Sequence, residues 1–164
     1  MTENPLNNRG ISLIELIVTL VIISILALLI LPSAQMAIKR NKEIELRRDL
    51  RVVRTAIDEY KKSYDQAIAE KKLTPTMDKS GYPETLQVLV DGYDFGGLVN
   101  YKKKFLRKLP VDPFNPPKQG EEPKWGLRSY KDEPDSENWG GEDVFDIYSL
   151  SGDTAIDGTK YKDW

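Results

Sequence analysis

Hydrophobic side chains form one long run near the start of the chain. Residues 11–31 are almost entirely apolar, and Glu15 is the one ionisable side chain among them. A helix of this length, at about 1.5 Å per residue, spans about 30 Å, the thickness of a bilayer's hydrocarbon core. The pattern predicts a transmembrane helix over residues 11–32. Pro32 either ends this helix or kinks it, because proline has no N–H to donate and clashes with the preceding turn.

Beyond Pro32 the apolar pattern changes to a single stripe. Hydrophobic residues recur at alternating steps of four and three, which places them on one face of a helix. The stripe consists of Leu46, Leu50, Val53, Ile57, Tyr60, Tyr64 and Ala67. The two stretches together predict one continuous helix from Ile11 to about Ala67. The stripe packs against a core of the same chain or forms a coiled coil with another chain, and the two are compatible if the flanks of the stripe meet the neighbour.

The C-terminal part of the chain has the pattern of a small α+β domain. A short helix is predicted over residues 82–90, with a proline in its first turn. Residues 124–130 and 143–150 are predicted strands, and the polar loop between them would close an antiparallel pair. Two strands alone bury too little surface, so we expect three or more strands against the long helix. The predicted fold is a long N-terminal helix packed against a small antiparallel sheet domain.

Glu15 places a carboxylate inside the apolar run. A charged side chain within hydrocarbon costs about 2.5–3.5 kcal/mol even on lenient insertion scales, so this carboxylate needs a partner. The run holds no cation, but a cut between Gly10 and Ile11 would create a positively charged α-amino group at its start. Pairing of that group with Glu15, in the same or a neighbouring copy, indicates an assembling protein. The alternative is a plain single-pass anchor with Glu15 near the membrane interface.

Composition excludes several classes of function. The chain of 164 residues has a formal net charge of −2 and contains neither histidine nor cysteine. It therefore lacks the side chain that transfers protons near neutral pH, a thiol nucleophile and a disulfide framework, and its charge gives no nucleic-acid signal. Neither a phosphate-cradling glycine motif nor Gly-x-Ser-x-Gly is present. We expect that the chain is not an enzyme.

Charge is distributed unevenly along the chain. Residues 39–54 carry seven basic and three acidic side chains, whereas residues 132–164 carry ten acidic and two basic ones. Each stretch is explained by a solvated face. Alternatively, the acidic tail of one subunit docks on the basic stem of another.

The residues at the start of the apolar run, Gly10-Ile-Ser-Leu-Ile-Glu15-Leu, resemble the processing and assembly signature of type IV pilins and pseudopilins. That signature usually reads Gly-Phe-Thr-Leu-Ile-Glu-Leu, so Ile11 and Ser12 are conservative departures. The resemblance implies cleavage after Gly10 by a prepilin peptidase and N-methylation of Ile11. It also implies that Glu15 pairs with the amino terminus of a neighbouring subunit during assembly.

The resemblance divides the chain into four predicted segments. They are a leader peptide over residues 1–10, a transmembrane and assembly helix over 11–32, an amphipathic stem over 33–69, and a periplasmic α+β domain over 70–164. Pro32 stands where this family commonly has a proline that perturbs the helix, and it is therefore an expected assembly residue beside Glu15.

The C-terminal part resembles the major pseudopilin of the type II secretion system more specifically. The motifs that carry this likeness are Tyr82-Pro83, Leu109-Pro-Val-Asp-Pro-Phe114, Val144-Phe-Asp-Ile-Tyr-Ser-Leu150 and Trp164. Phe114 replaces a tryptophan that is usual in the family.

This likeness implies a structural subunit anchored in the inner membrane, with its C-terminal domain in the periplasm. It would polymerise with itself and with minor pseudopilins on an inner-membrane secretion platform, and the periplasmic filament would drive protein export. A type IV pilin of a surface filament and a non-polymerising, membrane-tethered periplasmic binding domain are the alternatives.

The family also has a calcium loop before its terminal tryptophan. By this likeness the ligands here would be the carbonyl of Leu150 and the carboxylate of Asp153, with Asp157 and Asp163 as further candidates. Lys160 stands where a second ligand aspartate is expected, and an ammonium group cannot bind calcium. Because calcium takes six to eight oxygen ligands, the loop is either a rerouted calcium site or an acidic turn without an ion.

Overall fold

A computed structural model describes residues 11–76 and 79–164. For residues 28–33 it describes the backbone and not the side chains. The predicted leader, residues 1–10, lies outside the described residues. The chain divides into two compact units, the first ending at Arg40 and the second running from Asn41 to Trp164. The elements in chain order are α1 (Leu13–Ala69), α2 (Gln87–Asp91), β1 (Gly126–Arg128), β2 (Asp146–Tyr148) and a 3-10 helix (Tyr161–Asp163).

The long helix α1 is continuous over 57 residues, from Leu13 to Ala69. The interpretation that the helix ends at Pro32 is therefore wrong, although the side chain of Pro32 lies outside the description. One missing hydrogen bond does not end a helix whose flanking residues, mostly leucine, isoleucine and alanine, favour the helical backbone.

The predicted transmembrane helix over residues 11–32 is not confirmed. In the part of the chain that the structure describes, no helix is apolar over a sufficient length to cross a membrane. The side chains of residues 28–32, the last part of the predicted span, lie outside those that the structure describes.

The C-terminal end of α1 is closed by its own backbone. Lys71 has a φ of 59°, the left-handed conformation that terminates helices. The amide of Lys71 donates to the carbonyl of Ile68, and the amide of Lys72 donates to the carbonyl of Ala67, both at 2.9 Å. These two bonds satisfy carbonyls that the end of a helix leaves unpaired. The stem predicted to run to about Ala67 thus ends at Ala69.

The apolar stripe of α1 packs against the core of its own chain, which confirms the first of the two alternatives for it. Six of its seven residues are buried and Tyr64 is half-buried. The residues that complete the core around the stripe are Leu86, Leu89, Phe95, Leu106, Trp125, Val144, Ile147, Ala155 and Tyr161. Tyr60 meets the ring of Phe95 edge-on, with 5.1 Å between the ring centroids.

The sheet consists of two short antiparallel strands. β1 pairs with β2 so that Leu127 lies opposite Ile147. β1 ends at Arg128 because the next two amides bond to side chains instead: Ser129 N–H donates to the Asp132 carboxylate and Tyr130 N–H to that of Asp143. Both strands are therefore shorter than predicted.

The expectation of three or more strands is wrong for the described residues. Beyond β1 and β2 they contain two isolated bridges, between Tyr93 and Lys103 and between Thr154 and Lys160. A third strand is not needed to form the core, because α1 and irregular segments supply the apolar side chains that a third strand would have contributed.

The helix α2 begins later than predicted, at Gln87 rather than near Tyr82. The carbonyl of Pro83 accepts a 2.8 Å hydrogen bond from the amide of Val144. That carbonyl would otherwise start the helix, so the contact with the segment before β2 replaces the first helical turn. Gly92 ends α2 with a φ of 87° and donates to the carbonyl of Val88.

Candidate functional site

The first turn of α1 holds the residues that the sequence singled out for assembly. Ser12 Oγ accepts a 3.2 Å hydrogen bond from the amide of Glu15, and the carbonyl of Ser12 accepts from the amide of Leu16 at 3.0 Å. Ser12 is thus the N-cap, and Glu15 lies where the helix dipole favours an acidic side chain. Ile11 is 74% exposed and precedes the helix. Gly10 lies outside the described residues.

The cap contact was not anticipated, although its signal was present in the sequence. A serine three residues before a glutamate, ahead of an apolar run, is a known helix start. The cap uses the backbone amide of Glu15 and not its carboxylate. The carboxylate therefore remains available to a partner in another molecule.

The apolar side chains of the first unit are uncovered within the described chain. Its large hydrophobic residues between positions 11 and 26 have exposed fractions from 47% at Ile17 to 76% at Leu13. An apolar surface of this extent marks contact with lipid or with other proteins. The surface surrounds the helix, so one docked partner on one side would leave much of it exposed.

The C-terminal loop, residues 150–164, folds back on itself through three side chains. Trp164 Nε1 donates to Thr159 Oγ1 at 2.7 Å, and Thr159 donates through both its hydroxyl and its amide to Asp157 Oδ1, at 2.6 and 3.0 Å. The donors of Thr159, with a smaller contribution from the guanidinium of Arg47, hold the pKa of Asp157 below its usual value.

Three charged side chains of α1 contact this loop. Glu43 accepts hydrogen bonds from the amide of Ile156 at 2.8 Å and from the hydroxyl of Tyr161 at 2.9 Å. Arg47 pairs with Asp157 Oδ2 at 3.2 Å. Arg54 donates to the main-chain oxygen of Trp164 at 2.7 Å.

Arg54 also joins α1 to the sheet. Its Nε donates to Asp146 Oδ1 at 2.7 Å, and its Nη2 donates to the carbonyl of Ile147 at 3.0 Å. The uneven charge distribution predicted either solvated faces or docking between subunits. The structure shows that part of the acidic tail pairs with the basic stem inside one chain. Glu43, Arg47 and Arg54 were not singled out from the sequence, because they lie outside the apolar stripe.

The four predicted calcium ligands do not form one cluster of carboxylates. Leu150 is 47% exposed. The side chains of Asp153 and Asp163 are exposed, whereas that of Asp157 is bound by Thr159 and Arg47. Among the described residues, no group of three or more acidic side chains is arranged to hold a metal ion. Calcium binding stays a prediction.

Phe114 lies beside the same loop. Its ring stacks on Tyr161, with 4.0 Å between the centroids. Burial, together with the neighbouring Glu43 carboxylate, raises the pKa of Tyr161 well above its usual value. Trp125, the residue before β1, donates from Nε1 to the carbonyl of Pro110 at 3.1 Å. This hydrogen bond connects the start of β1 to the Leu109–Phe114 segment.

Comparison with known proteins agrees with these features. Residues 5–31 match the family described as the prokaryotic N-terminal methylation motif. With the long helix and the small antiparallel sheet, this match confirms the resemblance to type IV pilins and pseudopilins. Among curated proteins, the chain is 29% identical to type II secretion system core protein G of Pseudomonas aeruginosa over 146 residues, which are 88% of this chain and 83% of that protein. No solved structure matches the chain significantly.

Proposed function

We propose that the chain is a pseudopilin, a structural subunit that polymerises into the periplasmic filament of a type II secretion system. The methylation motif and the similarity to core protein G support this proposal. The observation that carries it is the uncovered apolar surface of α1, with Glu15 in its first turn. Such a surface is stable when lipid covers it before assembly and other subunits cover it afterwards.

Maturation follows from the same motif. A prepilin peptidase cleaves after Gly10, and the new amino terminus at Ile11 is methylated. Residues 11–32 anchor the chain in the inner membrane, with the C-terminal domain in the periplasm, until it joins the filament with minor pseudopilins on the secretion platform. The chain contributes structure and no catalysis of its own.

Glu15 is the assembly determinant in this proposal. Inside an apolar helix bundle the carboxylate meets the amino terminus of a neighbouring subunit, and their attraction is strong because the dielectric is low. If one member of the pair is missing, the other charge stays buried and unpaired. Removing one partner of a buried ion pair typically destabilises a protein by about 3–5 kcal/mol. The pair therefore favours subunits docked in one register over subunits docked elsewhere.

Processing is tested by intact mass and N-terminal analysis of the protein purified from its native membrane. We expect a chain that begins at Ile11 and carries one added methyl group. An uncut leader, in cells with a working prepilin peptidase, would overturn the proposal in favour of a tethered domain.

Assembly is tested by substitution of Glu15. Glu15→Ala should still insert and be processed, but filaments recovered from the cell envelope should be reduced at least about tenfold, which corresponds to about 1.4 kcal/mol. The matched control is Glu59→Ala, because Glu59 is an exposed glutamate of α1 whose carboxylate has no partner among the described residues. Normal filaments from Glu15→Ala would contradict the mechanism. If loss of the wild-type chain abolishes a surface filament and leaves protein secretion intact, the chain is a surface pilin instead.

A further inference from the structure

The side chains of α1 that contact the C-terminal loop lie on one stripe of the helix. Glu43, Arg47 and Arg54 are separated by four and seven residues, and these steps return to nearly the same face of an α-helix. Each of the three bonds to a different part of residues 150–164. We call this set, Glu43, Arg47 and Arg54, the α1 latch.

The contact around Arg47 is a closed ring of interactions. Its guanidinium carbon lies 4.0 Å from the centroid of the Trp164 ring, and its Nη2 pairs with Asp157 Oδ2. Asp157 Oδ1 is bound by Thr159, and Thr159 in turn accepts the indole N–H of Trp164. The flat guanidinium thus stacks on the indole and bonds to the carboxylate at once, which an ammonium group cannot do.

Further contacts restrain other residues of the C-terminal loop. Glu43 receives the amide of Ile156 and the hydroxyl of Tyr161, a side chain with no exposed surface. Lys162 forms an ion pair with Glu137. The Lys162 ammonium, assisted by that of Lys160, holds the pKa of Glu137 below its ordinary value.

One of the predicted calcium ligands, Asp157, is engaged by these contacts. Calcium takes six to eight oxygens, chiefly from carboxylates and carbonyls. Both carboxylate oxygens of Asp157 are bound by donors of this chain, and two ammonium groups, those of Lys160 and Lys162, lie in the same segment. Because Asp157 is already bound and no three acidic side chains converge among the described residues, the loop does not fit a calcium site like the one that the resemblance implied.

We propose that the α1 latch holds the C-terminal loop closed without a bound metal ion. The loop is ordered by ion pairing, guanidinium–indole stacking and hydrogen bonds to the stem, and its order is independent of calcium. This proposal concerns the folded subunit and does not depend on whether the subunit assembles.

Two readouts on the full-length protein in detergent micelles test it. One is the melting temperature, and the other is the rate of trypsin cleavage after Lys160 and Lys162, followed by intact mass. For the wild-type protein we expect both to be the same in millimolar calcium and in excess chelator. A rise in melting temperature or slower tail cleavage with calcium would overturn the proposal, because an ion bound to the folded state must stabilise it.

Substitutions test the latch itself. Arg47→Ala and Glu43→Ala should each speed tail cleavage by about tenfold, because local opening exposes the two lysines more often. Arg47→Lys should be intermediate, since it keeps the charge and loses the stacking.

The matched control is Arg51→Ala. Arg51 lies one turn beyond Arg47, is exposed, and has no ion pair, hydrogen bond or ring contact among the described residues. We expect wild-type cleavage from this variant. Equal acceleration by Arg51→Ala and Arg47→Ala would show that helix charge alone matters and would refute the latch.

Discussion

Ser149 Oγ donates a 2.6 Å hydrogen bond to Asp112 Oδ2, and both side chains are buried. The other oxygen of Asp112 accepts the amide of Phe114 at 2.8 Å. One carboxylate thus closes the turn in the Leu109–Phe114 segment and fixes that segment to the residue that follows β2. The two motifs that carried the family likeness in this region are therefore in direct contact.

Replacing Asp112 should destabilise the domain. Asp112→Ala leaves the hydroxyl of Ser149 and the amide of Phe114 without their acceptor in a buried site, and each unsatisfied group costs about 1–3 kcal/mol. We expect the free energy of unfolding, measured by denaturant titration in micelles, to fall by at least about 2 kcal/mol. Asp58→Ala is the control, because Asp58 is exposed and its carboxylate has no hydrogen bond or ion pair among the described residues. Equal losses from the two variants would contradict this role.

Gly126 is required where β1 meets β2. A Cβ added at Gly126 would lie 2.3 Å from Tyr148 Cζ, and the ring could not move without disturbing the core. Gly126→Ala should therefore lower the free energy of unfolding by about 1–3 kcal/mol through overpacking. A Cβ at Gly152 would have no heavy atom within 4 Å, so Gly152→Ala should be close to neutral. A neutral Gly126→Ala in thermal unfolding would show that the strand pair tolerates the extra atom.

The parts of the fold that sequence predicted are those set by periodicity. The stripe from Leu46 to Ala67 follows from side chains that recur on one helical face, and the helix and its buried side were both predicted. The strand pair was also located, but not its length, because Ser129 and Tyr130 leave the ladder to bond Asp132 and Asp143. Asp132 lies three residues from Ser129 and competes locally for its amide, whereas Asp143 lies thirteen residues from Tyr130 and reaches that amide only in the folded chain.

For the candidate site as well, the sequence predicted some residues and missed others. Glu15 was found because a charge in an apolar run is costly wherever the rest of the chain lies. The contacts of Arg47 with Asp157 and Trp164 join residues more than a hundred positions apart, so no local pattern marks them. The charge distribution along the sequence led to two interpretations, solvated faces or docking between subunits, and pairing within one chain was not among them.

Lys71 adopts a left-handed backbone at the end of α1, which costs a residue with a Cβ about 1–2 kcal/mol. Lys71→Gly should therefore raise the free energy of unfolding by about 1 kcal/mol, since the two terminal hydrogen bonds are formed by the backbone. The same change at Lys62, inside the helix, should lower it by about 1 kcal/mol. Opposite signs for the two variants in denaturant unfolding are the expected result. A loss of stability in both would show that the side chain of Lys71 contributes more than its backbone strain costs.

Ser12 should stabilise the first turn of α1, and with it the position of Glu15. Ser12→Ala removes the acceptor of the Glu15 amide, a change worth about 1 kcal/mol in typical caps. Amide hydrogen exchange of Glu15 and Leu16 in micelles should then be about fivefold faster, whereas Ser12→Thr should keep the wild-type rate. Ser24→Ala is the control, because Ser24 donates to the carbonyl of Leu20 within the helix and caps nothing. Unchanged exchange in Ser12→Ala would contradict the cap.

Stability should fall at high pH, and Tyr161 should account for part of the loss. Burial and the Glu43 carboxylate raise the pKa of Tyr161 above 10 in the folded chain, and burial does the same for Tyr60. A raised pKa means that the unfolded chain loses its proton first. The stabilisation from each protonated tyrosine is therefore fully present below about pH 10. Above that pH the free energy of unfolding declines by up to about 1.4 kcal/mol per pH unit for each tyrosine.

The free energy of unfolding, measured from neutral pH to above pH 10, should fall less steeply for Tyr161→Phe than for the wild-type chain. The variant is also less stable at neutral pH, because it loses the hydrogen bond to Glu43, so the slope and not the baseline is the informative quantity. Tyr101→Phe, at a side chain that is 68% exposed, should keep the wild-type slope. If Tyr161→Phe keeps that slope as well, the proton on Tyr161 does not contribute to stability, and the raised pKa has no consequence for folding.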